Sequence, residues 1–187
     1  MGNTKKNSAN SNTYVAFLLG INIGPHKRVP MSELKKICER MGFENVRILL
    51  ASGNVVFDAP KKSTDTIARE LEAQLKKTFG FEVGVIVCTI ADIQKMIDAN
   101  PFKKIDATKN IRCVTFYTEQ PKKKVTTGKI QDKKGNPFSI LSVSDNVVFS
   151  SRELEASATP DMMSVLGKML GKKITTRNWN TIEKLIQ

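Results

Sequence analysis

The feature that most constrains the fold is an internal repeat. The stretch ILLASGNVVFD at residues 48–58 returns 92 residues later as ILSVSDNVVFS at residues 140–150, with seven of eleven positions identical. Both copies place turn residues, Gly53-Asn54 and Asp145-Asn146, before Val-Val-Phe. Glycine, asparagine and aspartate tolerate the positive φ of tight hairpin turns, and β-branched and aromatic residues favour strands. The repeat therefore predicts a β-hairpin that the chain uses twice, rather than a duplicated active site.

The apolar pattern of the first half predicts the order β-α-β-β-α-β, which is that of the ferredoxin-like α-β plait. The predicted elements are a strand at 14–19, a helix at 32–41 capped by Ser32, strands at 46–51 and 55–58, a helix at 64–79 and a strand at 82–88. A helix capped by Thr89 follows and ends before Pro101.

The second half repeats this pattern with one difference. Moving the helix at 64–79 by 92 residues predicts a helix at 156–171, where apolar residues do recur at helical spacing. The other predicted elements are strands at 112–118, 139–143, 146–150 and 173–176 and a helix at 179–186, whereas 119–136 is polar and lysine-rich with at most one weak helical turn. We therefore predict an α+β chain of two tandem ferredoxin-like (α-β plait) subdomains, the second with a reduced first helix.

The predicted elements and the composition indicate the domain boundaries and the cellular location of the chain. Residues 1–13 read as a disordered tail, 14–88 as the first subdomain, 89–111 as a connecting helix and loop, and 112–187 as the second subdomain with a C-terminal helix. The longest apolar run, at 15–19, is too short to cross a membrane, and the N-terminus lacks the apolar region of a secretory signal. Three cysteines without a CxxC pair favour reduced thiols, so we predict a cytoplasmic location and no membrane partner.

The net charge of +12 favours association with anions. Because the lysine pairs are spread along the whole chain, they are more typical of a solvated basic surface than of a single nucleic-acid face. The chain has one histidine, and the spacings between Cys38, Cys88 and Cys113 match no zinc pattern. We predict no metal, no cofactor and no catalytic residue.

Two strand-to-helix junctions carry residue types that suit an anion. In the first, glycines would let backbone N–H groups approach the ligand while basic side chains neutralise it; its candidates are Gly20, Asn22, Gly24, Lys27 and Arg28, with His26 as an exposed loop residue. In the second, Arg177 would suit a phosphate or carboxylate. Beside it, Asn178 or Asn180 would cap the last helix, with Asn180 and Glu183 as a capping box. Trp179 would be either a stacking platform or a packing anchor.

Five ordered stretches carry a family resemblance: YVAFLLGINIG, VPMSELKKICERMGFENVR, SGNVVF, NPF and TTRNWNT. From Tyr14 to about Leu185 the chain resembles the uncharacterised bacterial family called domain of unknown function 1697. The resemblance implies two α-β plait subdomains and supplies neither a reaction nor a ligand. Its matching polar positions are Asn22, Lys27, Ser52, Asn54, Arg177 and Asn178, so Ser52 and Asn54 join the candidate ligand-binding residues.

The chain also departs from that family. Members usually read LRGINVGG, whereas Leu19 stands here in place of the arginine and Pro25 in place of the second glycine. ILLA at 48–51 replaces the T-Y-x-Q that members tend to have before SGN, so part of any site built on those residues would be lost.

The combined hypothesis is a non-enzymatic binding module for an anionic ligand or nucleic acid, using the 20–28 loop and Arg177. Both faces of the first strand are apolar and the RNA-recognition signature is missing, which weakens the RNA version. The alternative is a small-molecule enzyme acting on a phosphorylated or carboxylated substrate. A purely structural or interaction role and a homodimer stay open.

Overall fold

The computed structural model describes residues 11–25, 27–121, 124–156 and 158–187. Within these residues the chain forms two antiparallel sheets and five α-helices. His26 and most of the predicted tail lie outside the described residues, so the predictions made for them are not addressed.

The first sheet has the strand order β2-β3-β1-β4. Its strands are β1 (Ser11–Leu18), β2 (Glu44–Leu49), β3 (Asn54–Pro60) and β4 (Val85–Thr89). β1 begins three residues before the predicted start, because its register with β3 extends to Ser11 and the Ser11 hydroxyl donates to the Ala59 carbonyl at 3.1 Å.

Helices α1 (Met31–Arg40) and α2 (Thr64–Phe79) cover one face of this sheet. The bounds of α2 are those predicted, since Ser63 accepts a hydrogen bond from the Thr66 N–H and Gly80 ends the helix at φ 75°. The predicted cap at Ser32 is wrong. α1 begins at Met31 after Pro30, which occupies the N-cap position in an extended conformation and makes no side-chain cap.

The second sheet has the order β6-β7-β8-β5-β9. Its strands are β5 (Asn110–Tyr117), β6 (Gly128–Gln131), β7 (Pro137–Ser144), β8 (Val147–Glu153) and β9 (Ile174–Asn178). Helix α3 (Ile90–Asp98) links the sheets, α4 (Met162–Leu170) packs on the second sheet, and α5 (Trp179–Glu183) runs into a 3-10 turn at Lys184–Ile186.

Both copies of the sequence repeat form a β-hairpin, as predicted, but the two turns differ. The first spans the four residues 50–53, with Leu50 and Gly53 at positive φ, and Asn54 already belongs to β3. The second turn has only the two residues Asp145 and Asn146, and Asn146 itself has φ 61°. The aligned asparagines therefore have different structural roles: Asn54 is buried in a strand, and Asn146 is exposed in a turn.

The polar stretch 119–136, predicted to hold at most a helical turn, instead contains strand β6. β6 pairs antiparallel with β7, and Asp132 organises the turn between them. Its carboxylate accepts hydrogen bonds from the backbone N–H groups of Lys134 and Asn136, from the Asn136 side chain, and from the Asp161 N–H ahead of α4. The predicted helix at 156–171 is shorter, because Asp161 caps it through the Ser164 N–H.

The hydrogen bonds of the Asp132 carboxylate should make the stability of the folded protein sensitive to acid. The Asp161 N–H, followed by the Asn136 amide and the other donors, holds the pKa of this carboxyl well below its ordinary value. Since the folded-state pKa is depressed, this stabilisation is complete above the unfolded-state pKa of about 4 and is lost as the pH falls towards the folded-state value. We expect Asp132→Asn to lower the melting temperature at neutral pH, with the gap to the wild type narrowing in acid.

The same thermal scans with Asp98→Asn provide the control, since Asp98 is exposed and its carboxylate accepts only from the Gln94 side chain among the described residues. That variant should follow the wild type throughout. A gap for Asp132→Asn that stays constant between neutral pH and about pH 3, below the ordinary aspartate value, would contradict the assignment.

A single apolar layer joins the two sheets. Both faces of β1 are buried: Tyr14 and Ala16 lie on the side of α1 and α2, whereas Val15 and Phe17 face the second sheet. Phe17 stacks on Phe116 with ring centroids 4.5 Å apart. The layers therefore run from the α1–α2 pair through two sheets to α4, and the inter-sheet layer binds the halves together.

Candidate functional site

Three segments that are distant in the sequence meet at the end of β1. They are the loop at 20–28, the hairpin turn at 50–53 and strand β9. Each contains residues that the sequence predicts for an anion site, so we describe first how they are joined and then what remains accessible.

Asn22 closes the 20–28 loop and ties it to the hairpin turn. Its Nδ2 donates to the carbonyl oxygens of Val29 and Ala51, at 3.1 and 2.8 Å, and its Oδ1 accepts from the Val29 N–H at 2.9 Å. Its φ is 55°, which lies in the left-handed region that asparagine tolerates. The polar atoms of Asn22 are therefore engaged in shaping the loop.

Gly53 allows the hairpin turn to lie directly against β1. Its carbonyl accepts from the Leu18 N–H at 2.9 Å, and its φ is 71°. A Cβ at this position would stand 2.7 Å from Cδ1 of Ile21 and 2.9 Å from Cβ of Leu18, so no larger residue fits without displacement.

Arg177 crosses from the second sheet to the first and uses all five of its N–H donors. Nε donates to Oδ1 of Asn54 at 2.6 Å, and Nη2 donates to the carbonyls of Leu18 and Ser52 at 2.7 and 3.1 Å. Nη1 donates to the Thr175 hydroxyl and to the Thr176 carbonyl within β9. A ligand could replace one of these bonds only by breaking it, so Arg177 is a positioning residue.

The charge of Arg177 has no acidic partner within ion-pair distance among the described residues. Its guanidinium instead lies over the Phe17 ring, 5.6 Å from the centroid, in a cation–π contact. Burial lowers its pKa to about 10, so it stays protonated at neutral pH. It therefore adds an unneutralised positive charge beneath the hairpin turn.

The outer surface of the 20–28 loop is open. Gly20, Asn22 and Gly24 alternate in positive φ, at 60°, 55° and 64°. The N–H groups of Ile23 and Gly24 have no acceptor in the part of the chain that the structure describes. Backbone N–H groups in such alternating conformations form concave anion-binding nests. Lys27 and Arg28 are exposed beside them and join no ion pair among the described residues.

The structure places the other predicted site residues in internal roles. Asn54 is fully buried, and its Nδ2 donates to the Leu49 carbonyl and to the Ser52 hydroxyl. Trp179 is 2% exposed and packs between Phe102 and Phe149, with ring centroids 5.0 and 6.2 Å away, which is the packing-anchor arrangement.

The start of the last helix differs from the predicted capping. Asn178 occupies the N-cap of α5 without a side-chain cap, and its Oδ1 lies 3.8 Å from the Cys113 thiol as an acceptor. The predicted capping box is wrong, because Asn180 lies inside α5 and its Oδ1 accepts from Arg112 at 2.8 Å.

The three thiols are not activated as nucleophiles, and no metal-binding cluster accompanies them among the described residues. Burial raises the pKa of Cys38 and Cys88 to about 12 and that of Cys113 to about 11. All three thiols are therefore protonated, and poorly nucleophilic, at neutral pH. The described residues contain no group of three or more histidine, cysteine, aspartate or glutamate side chains placed to hold a metal ion.

Sequence reasoning indicated the loop and Arg177 as candidates but did not predict what Arg177 binds. Three of its acceptors are backbone carbonyls, those of Leu18, Ser52 and Thr176. Because every residue carries a carbonyl, no sequence signal marks these partners.

Fold and site together define a class of protein. It is a two-sheet α/β protein in which Asn22 ties a basic, glycine-containing loop to a hairpin turn, and Arg177 ties that turn to a later strand. A family model described as a protein of unknown function (DUF1697) matches residues 11–149, and the chain belongs to that family. The match confirms the resemblance seen in the ordered motifs, although it ends before β9 and Arg177.

A solved structure has a similar fold. The conserved bacterial protein SP0830 from Streptococcus pneumoniae is 19% identical, with a TM-score of 0.63 over 94% of this chain and 97% of that one. At this identity the similarity concerns the fold alone. No curated protein matches the chain. Among the described residues, no helix has the length and apolar character needed to cross a bilayer.

Proposed function

We propose that the protein is a non-enzymatic binding module for a phosphate-bearing or carboxylate-bearing ligand, held by the loop at 20–28. The observation that carries the proposal is the open nest of backbone N–H groups between Gly20 and Gly24, with the unpaired side chains of Lys27 and Arg28 beside it among the described residues. Arg177 holds the adjacent hairpin turn through the Ser52 carbonyl and adds its positive charge there.

The electrostatics around the loop support an anionic ligand. Glu82 is close enough to Lys27 for their charges to interact, and its pKa is lowered first by the hydrogen bond from Lys76 and further by the charges of Lys76 and Lys27. Because Lys76 already pairs with Glu82 at 2.9 Å, Lys27, Arg28 and Arg177 leave the loop with an excess of positive charge.

A binding role accounts for these observations better than the enzyme alternative. General acid–base catalysis needs a titratable group positioned to exchange a proton with the ligand. Here Glu82 is engaged by Lys76, and Arg177, with its pKa near 10, has every donor occupied. Turnover of a phosphorylated or carboxylated compound would restore the enzyme hypothesis.

Fluorescence anisotropy of labelled single-stranded RNA and DNA against salt tests the proposal. We expect a linear fall of log affinity with log salt, and we expect the double variant Lys27→Ala/Arg28→Ala to reduce the slope by about 1.4, roughly 0.7 for each lost phosphate contact. The matched control is Lys103→Ala/Lys104→Ala, an adjacent exposed pair that removes the same charge elsewhere.

Inorganic phosphate provides the small-molecule arm of this test. If the nucleic acids do not bind but phosphate raises the melting temperature of the wild type and not of the Lys27→Ala/Arg28→Ala variant, the ligand is a small anion. Equal behaviour of the two double variants in both arms would refute the loop as an anion site.

We also propose that the halves are two tandem ferredoxin-like subdomains derived by internal duplication. Supporting this, β7-β8-β5-β9 in the second sheet repeats the order β2-β3-β1-β4 of the first, with β6 added at the edge. In both halves a helix follows the last strand without a linker, α3 after β4 and α5 after β9. A crystal structure whose halves fail to superpose over these four strands would contradict the duplication.

A cytoplasmic location is part of the proposal. All three cysteines are free thiols, and Cys38 and Cys113 are buried. Reduced, unpaired thiols are typical of cytoplasmic proteins. Immunoblotting of cell fractions for the tagged protein would check the assignment, and recovery of the protein outside the cytoplasmic fraction would contradict it.

A further inference from the structure

A cavity of about 470 Å³ lies between the two sheets and shares no residue with the 20–28 loop. Segments from both halves line it: the start of α2, β4 and α3 on one side, and the end of β5 with the β7–β8 turn on the other. Small-molecule sites commonly have volumes of about 300–1,000 Å³ and often lie between structural units. Both its size and its position are therefore those of a ligand site.

The floor of this cavity is apolar. It is the open end of the inter-sheet layer, where the half-buried side chains of Cys88 and Met96 are partly accessible above the buried Ile86, Phe116 and Val147. The Cys88 thiol forms no hydrogen bond within the described part of the chain, so the floor presents hydrocarbon and sulfur to an occupant. Such a floor favours an occupant with an apolar body.

The rim of the cavity has the opposite charge from the rest of the protein. Three aspartates, Asp65, Asp92 and Asp145, stand around it with one lysine, Lys95, although the chain carries a net charge of +12. Asp92 accepts from the Thr89 hydroxyl and lies 4.0 Å from Lys95. Asp65 and Asp145 form neither an ion pair nor a side-chain hydrogen bond with the described residues, so their carboxylates are available to a ligand.

We propose that this cavity binds a small organic cation, with its ammonium or guanidinium group at the Asp65–Asp145 rim and its hydrocarbon part on the floor at Cys88 and Met96. The apolar floor accounts for the body of the ligand, and the carboxylates of Asp65 and Asp145, unpaired among the described residues, account for the sign of its charge. This site is separate from the proposed anion-binding loop, so either can fail without the other.

Three probes with the same hydrocarbon chain separate charge from hydrophobicity: hexylamine, hexanol and hexanoate. In isothermal titration at low salt we expect hexylamine to bind, hexanol to bind more weakly and hexanoate to bind least. Backbone amide shifts in NMR spectra should change on titration around Ile86, Phe116 and Asn146. Equal binding of the amine and the alcohol, or no binding of the amine, would overturn the proposal.

Two variants test the location of the site. Because each rim carboxylate is exposed, Asp65→Asn/Asp145→Asn should weaken hexylamine binding roughly two- to fivefold per carboxylate and leave hexanol unchanged. Glu39→Gln/Glu155→Gln is the control, since it removes the same charge at exposed positions outside the cavity. Met96→Trp should fill the floor and abolish binding of both probes in a variant shown by circular dichroism to be folded. The same loss in both charge variants would place the binding elsewhere.

Discussion

Arg177→Ala is expected to lower the free energy of unfolding by about 3–5 kcal/mol, because an unsatisfied buried group costs roughly 1–3 kcal/mol. The substitution removes five hydrogen bonds and leaves the buried Oδ1 of Asn54 and the buried carbonyl of Leu18 without this donor. It also removes the contact with the Phe17 ring. Urea denaturation monitored by circular dichroism would measure the loss.

Two further variants make this prediction specific. Arg177→Lys keeps the charge but has three donors in place of five, so it should lose about 2–4 kcal/mol. Arg28 is an exposed arginine without a hydrogen bond among the described residues. Arg28→Ala should therefore change stability by less than about 0.5 kcal/mol. If Arg177→Ala lost no more than Arg28→Ala, the arginine would not be what holds the two sheets in register.

Trp179→Ala should lower the free energy of unfolding by about 3–5 kcal/mol as well, because it opens a cavity in a fully packed layer. Trp179 is 2% exposed and contacts Phe102 and Phe149 in the inter-sheet layer. Since it is the sole tryptophan, the variant must be followed by circular dichroism, and the native protein should show the blue-shifted emission of a buried indole.

Leu154→Ala is the control for this prediction, since Leu154 is 50% exposed. Truncation of such a surface side chain should cost less than about 0.5 kcal/mol. A similarly small loss of stability for Trp179→Ala, or native emission at the wavelength of a solvated indole, would show that Trp179 does not anchor the layer. Trp179 would then again be a candidate for stacking on a ligand.

The parts of the fold that could be predicted depend on local chemistry. The bounds of α2 follow from a serine cap, an apolar stripe and a terminal glycine, all of which are visible in 63–80. Both hairpins follow from turn residues next to β-branched and aromatic ones. β6 could not be predicted in this way, because Ile130 is the one strong β former among its four residues, GKIQ, and the strand depends on pairing with β7.

The candidate site was only partly predictable for a different reason. Glycine spacing and adjacent basic residues indicate the 20–28 loop, and the structure keeps its outer surface open. The same sequence signals mark Asn22, Asn54 and Arg177, whose polar groups are used by other parts of the chain. A polar side chain that binds a ligand and one that binds a distant backbone carbonyl look alike in sequence: the carbonyl of Ala51 lies 29 residues from Asn22, and that of Leu18 lies 159 residues from Arg177.

The inter-sheet layer also has a consequence during synthesis. Val15, Phe17 and Val56 are covered by residues of the second half, including Trp179 and Leu185, and Arg47 donates to the Leu185 carbonyl. Ribosomes add about 5–20 residues per second, so this face of the nascent first sheet stays exposed for seconds before its cover leaves the exit tunnel. We expect the nascent chain to recruit general chaperones in that interval, and truncation within β9 to yield aggregates rather than a shorter folded protein.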